Sequence, residues 1–137
     1  MIKMVNRKPV YIVAGLVAIL GMIAISSSGN FSAFAQESDV KVDIVPGAST
    51  KSGAQAYSMD PIKVKVGGKV TWTNKDSVQH TVTSGSPGSA DSGKEFDSGL
   101  TKLINPNATF EHTFTKAGTF PYYCQLHPTM TGTVIVS

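Results

Sequence analysis

The chain has 137 residues, enough for one domain and little else, with twelve Lys and Arg against nine Asp and Glu and a single cysteine. The positive excess lies wholly in residues 1–35, which hold Lys3, Arg7 and Lys8 and no acid, so residues 36–137 carry nine charges of each sign. A neutral domain without a basic cluster gives nucleic-acid phosphates nothing to follow, and one cysteine excludes an internal disulfide.

The chain begins with the basic segment MIKMVNRK, followed by an uncharged and mostly apolar run over residues 9–25 (PVYIVAGLVAILGMIAI). A small-residue stretch then ends in Ala33-Phe34-Ala35. Basic, apolar, then small is the layout of a secretory signal, with cleavage expected before Gln36. The alternative is a retained membrane anchor, because this run lies at the short end of the roughly 20 apolar residues that span a bilayer. Either way the positive flank stays inside, and residues 36–137 are expected in the periplasm or at the outer face of the cytoplasmic membrane.

Short strands are predicted next. Val40, Val42 and Ile44 alternate with Lys41 and Asp43, and Ile62, Val64 and Val66 alternate with Lys63 and Lys65. Gly67-Gly68 turns the chain into Val70-Thr71-Trp72-Thr73, with Trp72 expected in the core. Val78, His80 and Val82 share one phase, as do Phe110, His112 and Phe114. Phe120 to Cys124 is rich in aromatics, and Thr133 to Val136 forms the last strand. Residues 46–56 and 85–94 are rich in Gly, Ser and Ala without apolar periodicity and read as loops. Period-two alternation argues half-buried antiparallel strands, and their spacing argues an all-β, two-sheet Greek-key sandwich.

In an oxidising compartment an unpaired thiol is a liability, so Cys124 is first tested as a ligand. The segment Tyr122-Tyr123-Cys124-Gln125-Leu126-His127-Pro128-Thr129-Met130 places a thiolate, an imidazole and a thioether at three-residue intervals. A second imidazole, His80, lies 44 residues before the cysteine. Two His, one Cys and a weak Met are the donor set of a trigonal blue-copper site with a long axial bond. Thiolate and thioether favour Cu(I), while imidazole suits both oxidation states. His112, between two phenylalanines, has nothing nearby to complete a site and reads as structural. Asn107-Ala108-Thr109 matches a glycosylation sequon, a pattern common by chance.

The segment resembles the copper-binding loop of the plastocyanin/azurin family of cupredoxins, and its C-x-x-H-x-x-M spacing looks most like the short loop of the amicyanins. The resemblance extends over PIKVKVGGKVTWTNKDSVQHTV, KEFDSG and TFEHTFTKAGTFPYYCQLHPTMTGTVIV, in that order. It implies one type 1 copper ion, with His80, Cys124 and His127 as equatorial ligands and Met130 as the axial one. In this family the residue after the upstream His is usually an Asn that ties the two ligand loops together; here it is Thr81. By the same resemblance, His127 presents an edge near solvent, flanked here by Leu126 and Pro128, where redox partner proteins dock transiently. Tyr123 matches an outward tyrosine read as a second electron route.

The function implied is a monomeric, exported carrier of single electrons. A copper oxidase or nitrite reductase would need a second copper cluster, and the chain has only three His. Four protein donors also leave no open position for a substrate. A copper carrier or storage protein remains the alternative, since holding copper and cycling it use the same ligands.

Overall fold

The structure, a computed structural model, describes residues 38–137; the readings of residues 1–35 as signal or anchor lie outside the described residues. Among the described residues no helix is long and apolar enough to cross a membrane.

Alternation decides the strands. In β1 (Asp39–Ile44) the apolar residues Val40, Val42 and Ile44 are buried, while Asp39 and Lys41 are exposed. The same phase places Ile62 and Val64 of β2 (Ile62–Val64), and Val70 and Trp72 of β3 (Lys69–Asn74), inside. The remaining strands are β4 (Thr83–Ser84), β5 (Thr109–Thr113), β6 (Gly118–Tyr123) and β7 (Thr131–Val136). They form one sheet in the order β1-β3-β5 and another in the order β2-β7-β6-β4. Their inner faces bury one apolar core. Trp72 lies within it, with ring centroids of Phe96, Phe110 and Tyr122 at 5.9, 5.9 and 5.4 Å. Each fully buried apolar side chain contributes about 1.5–3 kcal/mol, and an aromatic pair adds about 0.5–1.5 kcal/mol.

The all-β sandwich agrees with the sequence reading, with differences in strand pairing, in one expected strand and in one loop. The pairs β1–β3 and β2–β7 are parallel rather than antiparallel. From β1 to β5 the chain changes sheet at every step, so neighbours within a sheet are not consecutive in sequence. The strand expected over Val78, His80 and Val82 is absent; Thr83–Ser84 is the strand, and His80 makes only an isolated bridge with Ile104. Residues 46–56, read as plain loop, contain two short 3-10 turns, Ala48–Thr50 and Gly53–Ala56.

Among the described residues only β6 and β7 follow one another in the chain and also pair, antiparallel, with Tyr122 opposite Gly132. A Cβ at Gly132 would come within 2.6 Å of the Tyr122 ring, so glycine here lets that ring lie flat over the neighbouring strand. The hairpin's connection, residues 124–130, carries Cys124, His127 and Met130. The sheet pairing thereby presents three of the candidate donors on one short loop.

Candidate metal centre

Two backbone bonds shape that loop. Cys124 N–H donates to the Met130 carbonyl at 3.1 Å, and Met130 N–H donates to the His127 carbonyl at 2.9 Å. The tight closure keeps Cys124 and His127 close, with Cys124 Sγ and His127 Nδ1 3.7 Å apart. His80 is fixed by other means. Its N–H donates to the Ile104 carbonyl at 3.2 Å, and its carbonyl accepts Ile104 N–H at 2.9 Å. The buried Asn74 amide holds the preceding loop by donating to the Val78 and Ile104 carbonyls at 2.7 and 2.9 Å. The result puts His80 Nδ1 3.7 Å from Cys124 Sγ.

The three donor atoms of His80, Cys124 and His127 all lie within 4.8 Å of one another. Bonds of about 2.0–2.3 Å from imidazole and thiolate, in a trigonal array, would separate such atoms by about 3.7 Å. The two Sγ to Nδ1 distances agree with that spacing. Cys124 and His80 are fully buried, and His127 is half-buried. Met130 is also fully buried, as part of the apolar core. His112 is not in this group; it packs between the rings of Phe96 and Phe114 at 5.0 and 4.8 Å.

The surroundings prepare the thiol for a metal. Burial pushes the Cys124 thiol up, but hydrogen bonds with His80, with Thr81 N–H (3.3 Å to the sulfur) and with His127 outweigh it and bring it down to about 6. A cysteine in that state is readily a thiolate, the form that binds metal. Burial pushes the His80 imidazole down, and contacts with Cys124 and Asp76 reverse this and raise it.

Thr81 does tie the two ligand segments. Its hydroxyl accepts Gln125 N–H at 2.8 Å and shares a hydrogen with the Thr83 hydroxyl at 3.1 Å. Thr83 donates on to Asp97 at 2.8 Å, and the Gln125 amide donates to both Thr83 and Asp97 at 2.9 and 3.1 Å. Nothing in the sequence marks Gln125 or Asp97 as part of the site, nor Asp76, whose carboxylate meets His80 Nε2 at 2.9 Å. A carboxylate four residues before a candidate ligand was the available signal for Asp76, but on a loop no periodicity says which way it points. Tyr123 differs from its expected outward position: it is 7% exposed, and its hydroxyl is 2.7 Å from Ser92 Oγ in the 85–94 segment.

Comparison with known proteins agrees with the donor chemistry. Residues 46–137 match the family model of copper binding proteins, plastocyanin/azurin family. An amicyanin of Paracoccus denitrificans is 34% identical in an alignment of 87 residues that covers 58% of this chain and 57% of that protein. Amicyanin-alpha of Methylorubrum extorquens is 29% identical over 117 residues, 84% of this chain and 92% of that protein. Among solved structures, a novel purple cupredoxin from Nitrosopumilus maritimus matches with a TM-score of 0.61 and 36% identity, over 72% of this chain and 100% of that one.

Proposed function

Because the chain belongs to the plastocyanin/azurin family of copper binding proteins, we propose that it is a small exported carrier of single electrons, in which His80, Cys124, His127 and Met130 would hold one copper ion. The observation that carries this reading is the convergence of two imidazoles and one activated thiol within 4.8 Å at the end of a β-sandwich. Copper supplies the one-electron Cu(I)/Cu(II) couple. Cys124 would hold it as a thiolate, through the bond that would give colour. His80 and His127 would hold it through Nδ1, the atoms nearest the sulfur. Met130, in the core, would add a soft and weak donor. Burial of Cys124, His80 and Met130 keeps water away from these donors.

His127 is the half-exposed member of the set, and it is the exit we assign. Beside it in the chain are Leu126, 42% exposed, and the exposed Pro128, neither charged. Small, apolar contacts suit brief docking with redox partner proteins. The protein is proposed to be a carrier and not an enzyme, because four protein donors leave no open position for a substrate. Export rests on the layout of residues 1–35.

The test is direct. The intact chain loaded with one equivalent of Cu(II) should turn intensely blue, or green if the bond to Met130 is short. Cys124→Ser should lose the band. A colourless Cu(II) complex of the parent would sink the assignment. A reversible one-electron couple without copper loss supports the carrier of electrons, whereas delivery of copper to an apo-acceptor would favour the copper carrier. Fractionation and N-terminal sequencing of the native protein check export, with Gln36 expected as the first residue after cleavage.

A further inference from the structure

The motif Asn107-Ala108-Thr109 has no part in the copper reading. A three-residue match occurs often by chance, so its placement in the fold has to decide what it is worth. Residues 105–108 form a turn closed by Ala108 N–H donating to the Asn105 carbonyl at 2.9 Å, with Pro106 and Asn107 at its centre. Asn107 has φ 70°, the left-handed conformation that the third position of such a turn gives to Gly or Asn. Its N–H donates to the Asn74 carbonyl at 2.7 Å, so the backbone is anchored while the residue stays exposed. Turn geometry therefore accounts for an Asn or a Gly at 107 and asks nothing of residue 109. Thr109, the first residue of β5, is exposed as well. Among the described residues neither the Asn107 amide nor the Thr109 hydroxyl makes a hydrogen bond.

Both side chains that a glycosylation sequon needs are thereby offered to solvent on a fixed turn. Beside them lies a groove of about 700 Å³, lined in part by Lys102, Asn105, Thr109 and Glu111. Such side chains donate and accept the hydrogen bonds that sugar hydroxyls make. We propose that Asn107 is an N-glycosylation site, modified on the outer side of the membrane by a lipid-linked oligosaccharide. Asn107 Nδ2 bonds to the anomeric carbon of the oligosaccharide as the bond from that carbon to the lipid phosphate breaks. The phosphate leaves with the electron pair, and Nδ2 gives up one proton. The place suits a bulky, solubilising group. β5 is an edge of its sheet, where unpaired backbone groups invite another chain, and a glycan on the turn that enters β5 obstructs such pairing.

The inference rests on the export reading above and not on the copper, and one experiment separates the two. Trypsin cuts after Lys102 and Lys116, so residues 103–116 form one peptide with a single Asn-x-Thr match. The other match in the chain, Asn30-Phe31-Ser32, precedes the cleavage expected before Gln36 and falls in a different peptide. Native protein from the exported fraction of its own cells is digested and analysed by tandem mass spectrometry. The 103–116 peptide should be heavier by whole sugar residues, carried on Asn107. Asn107→Gln and Thr109→Val should yield the bare peptide, whereas Thr109→Ser, which keeps the hydroxyl, should keep the sugar. A bare peptide from exported parent overturns the proposal and leaves export standing, and this readout needs no variant to fold. A sugar that survives in Asn107→Gln overturns it too, because that sugar sits on a hydroxyl. Protein confined to the cytoplasmic fraction would sink the export reading and the proposal together.

Discussion

Met130 combines two demands on one side chain. It is fully buried in the apolar core, yet it closes the loop whose other members are Cys124 and His127. Packing alone would make Leu an adequate replacement, since volume-conserving apolar exchanges usually cost less than about 1.5 kcal/mol. A ligand behaves differently. Met130→Leu should keep copper and colour and raise the midpoint potential by about 59 mV or more, because losing a donor disfavours Cu(II) more than Cu(I). Met130→Gln should lower it, since an amide oxygen is a harder donor. Voltammetry of the two variants is the check; potentials unchanged in both would make Met130 a packing residue. Thr81 illustrates how a substitution within a family pattern is accommodated. The shorter hydroxyl reaches Gln125 N–H by itself and then depends on Thr83, Asp97 and the Gln125 amide to complete its hydrogen bonds. Losing such a partner for a buried group costs about 1–3 kcal/mol, so the chain of bonds is as much a part of the loop's rigidity as its backbone.

Among the elements, β5 is the edge of the three-stranded sheet, and its inward phase is only half-buried. His112 fills a position there between Phe96 and Phe114, and burial lowers its imidazole below the ordinary histidine value. The unfolded chain therefore takes up a proton near about pH 6.5, while the folded protein still holds His112 neutral. Stability rises with pH wherever the unfolded state binds more protons, so this group contributes fully above the unfolded value and its contribution is lost as pH falls toward the folded one. Melting temperatures at neutral and mildly acidic pH should fall further for the parent than for His112→Ala. That variant should keep its colour and cost about 0.5–3 kcal/mol at neutral pH. Equal pH slopes would remove His112 from this role, and loss of the blue band would place it among the ligands.

For the whole molecule, the neutrality of residues 36–137 bears on encounter. Nine charges of each sign cancel, and the segment beside His127 offers Leu126 and Pro128 in place of charge. Steering by long-range fields should therefore be weak, and salt has little to screen. Electron self-exchange between two copies, followed by NMR line broadening, should change little between low and physiological ionic strength. A steep fall with added salt would reveal an attractive local pattern that net charge conceals, and would relocate the docking face toward the charged surface.

What the sequence determined by itself was chemistry and alternation. Val40, Val42 and Ile44, or Val70 and Trp72, announce a buried face because side-chain direction in a strand depends only on the parity of neighbouring residues. Cys124, His127 and Met130 announce a soft donor set because they lie on one short loop. Tertiary structure decided what depends on segments distant in the chain. His80 reaches Cys124 through a loop held by Asn74 and Ile104, not through the strand that its apolar phase suggested. The parallel pairings follow from crossings between sheets, and the covering of Tyr123 follows from the 85–94 segment folding over β6. Asp76 became legible only when its loop placed the carboxylate against His80 and three backbone N–H groups at once. A hydrogen bond is directional and short, so a one-dimensional pattern names the partners available, and only the packed chain selects among them.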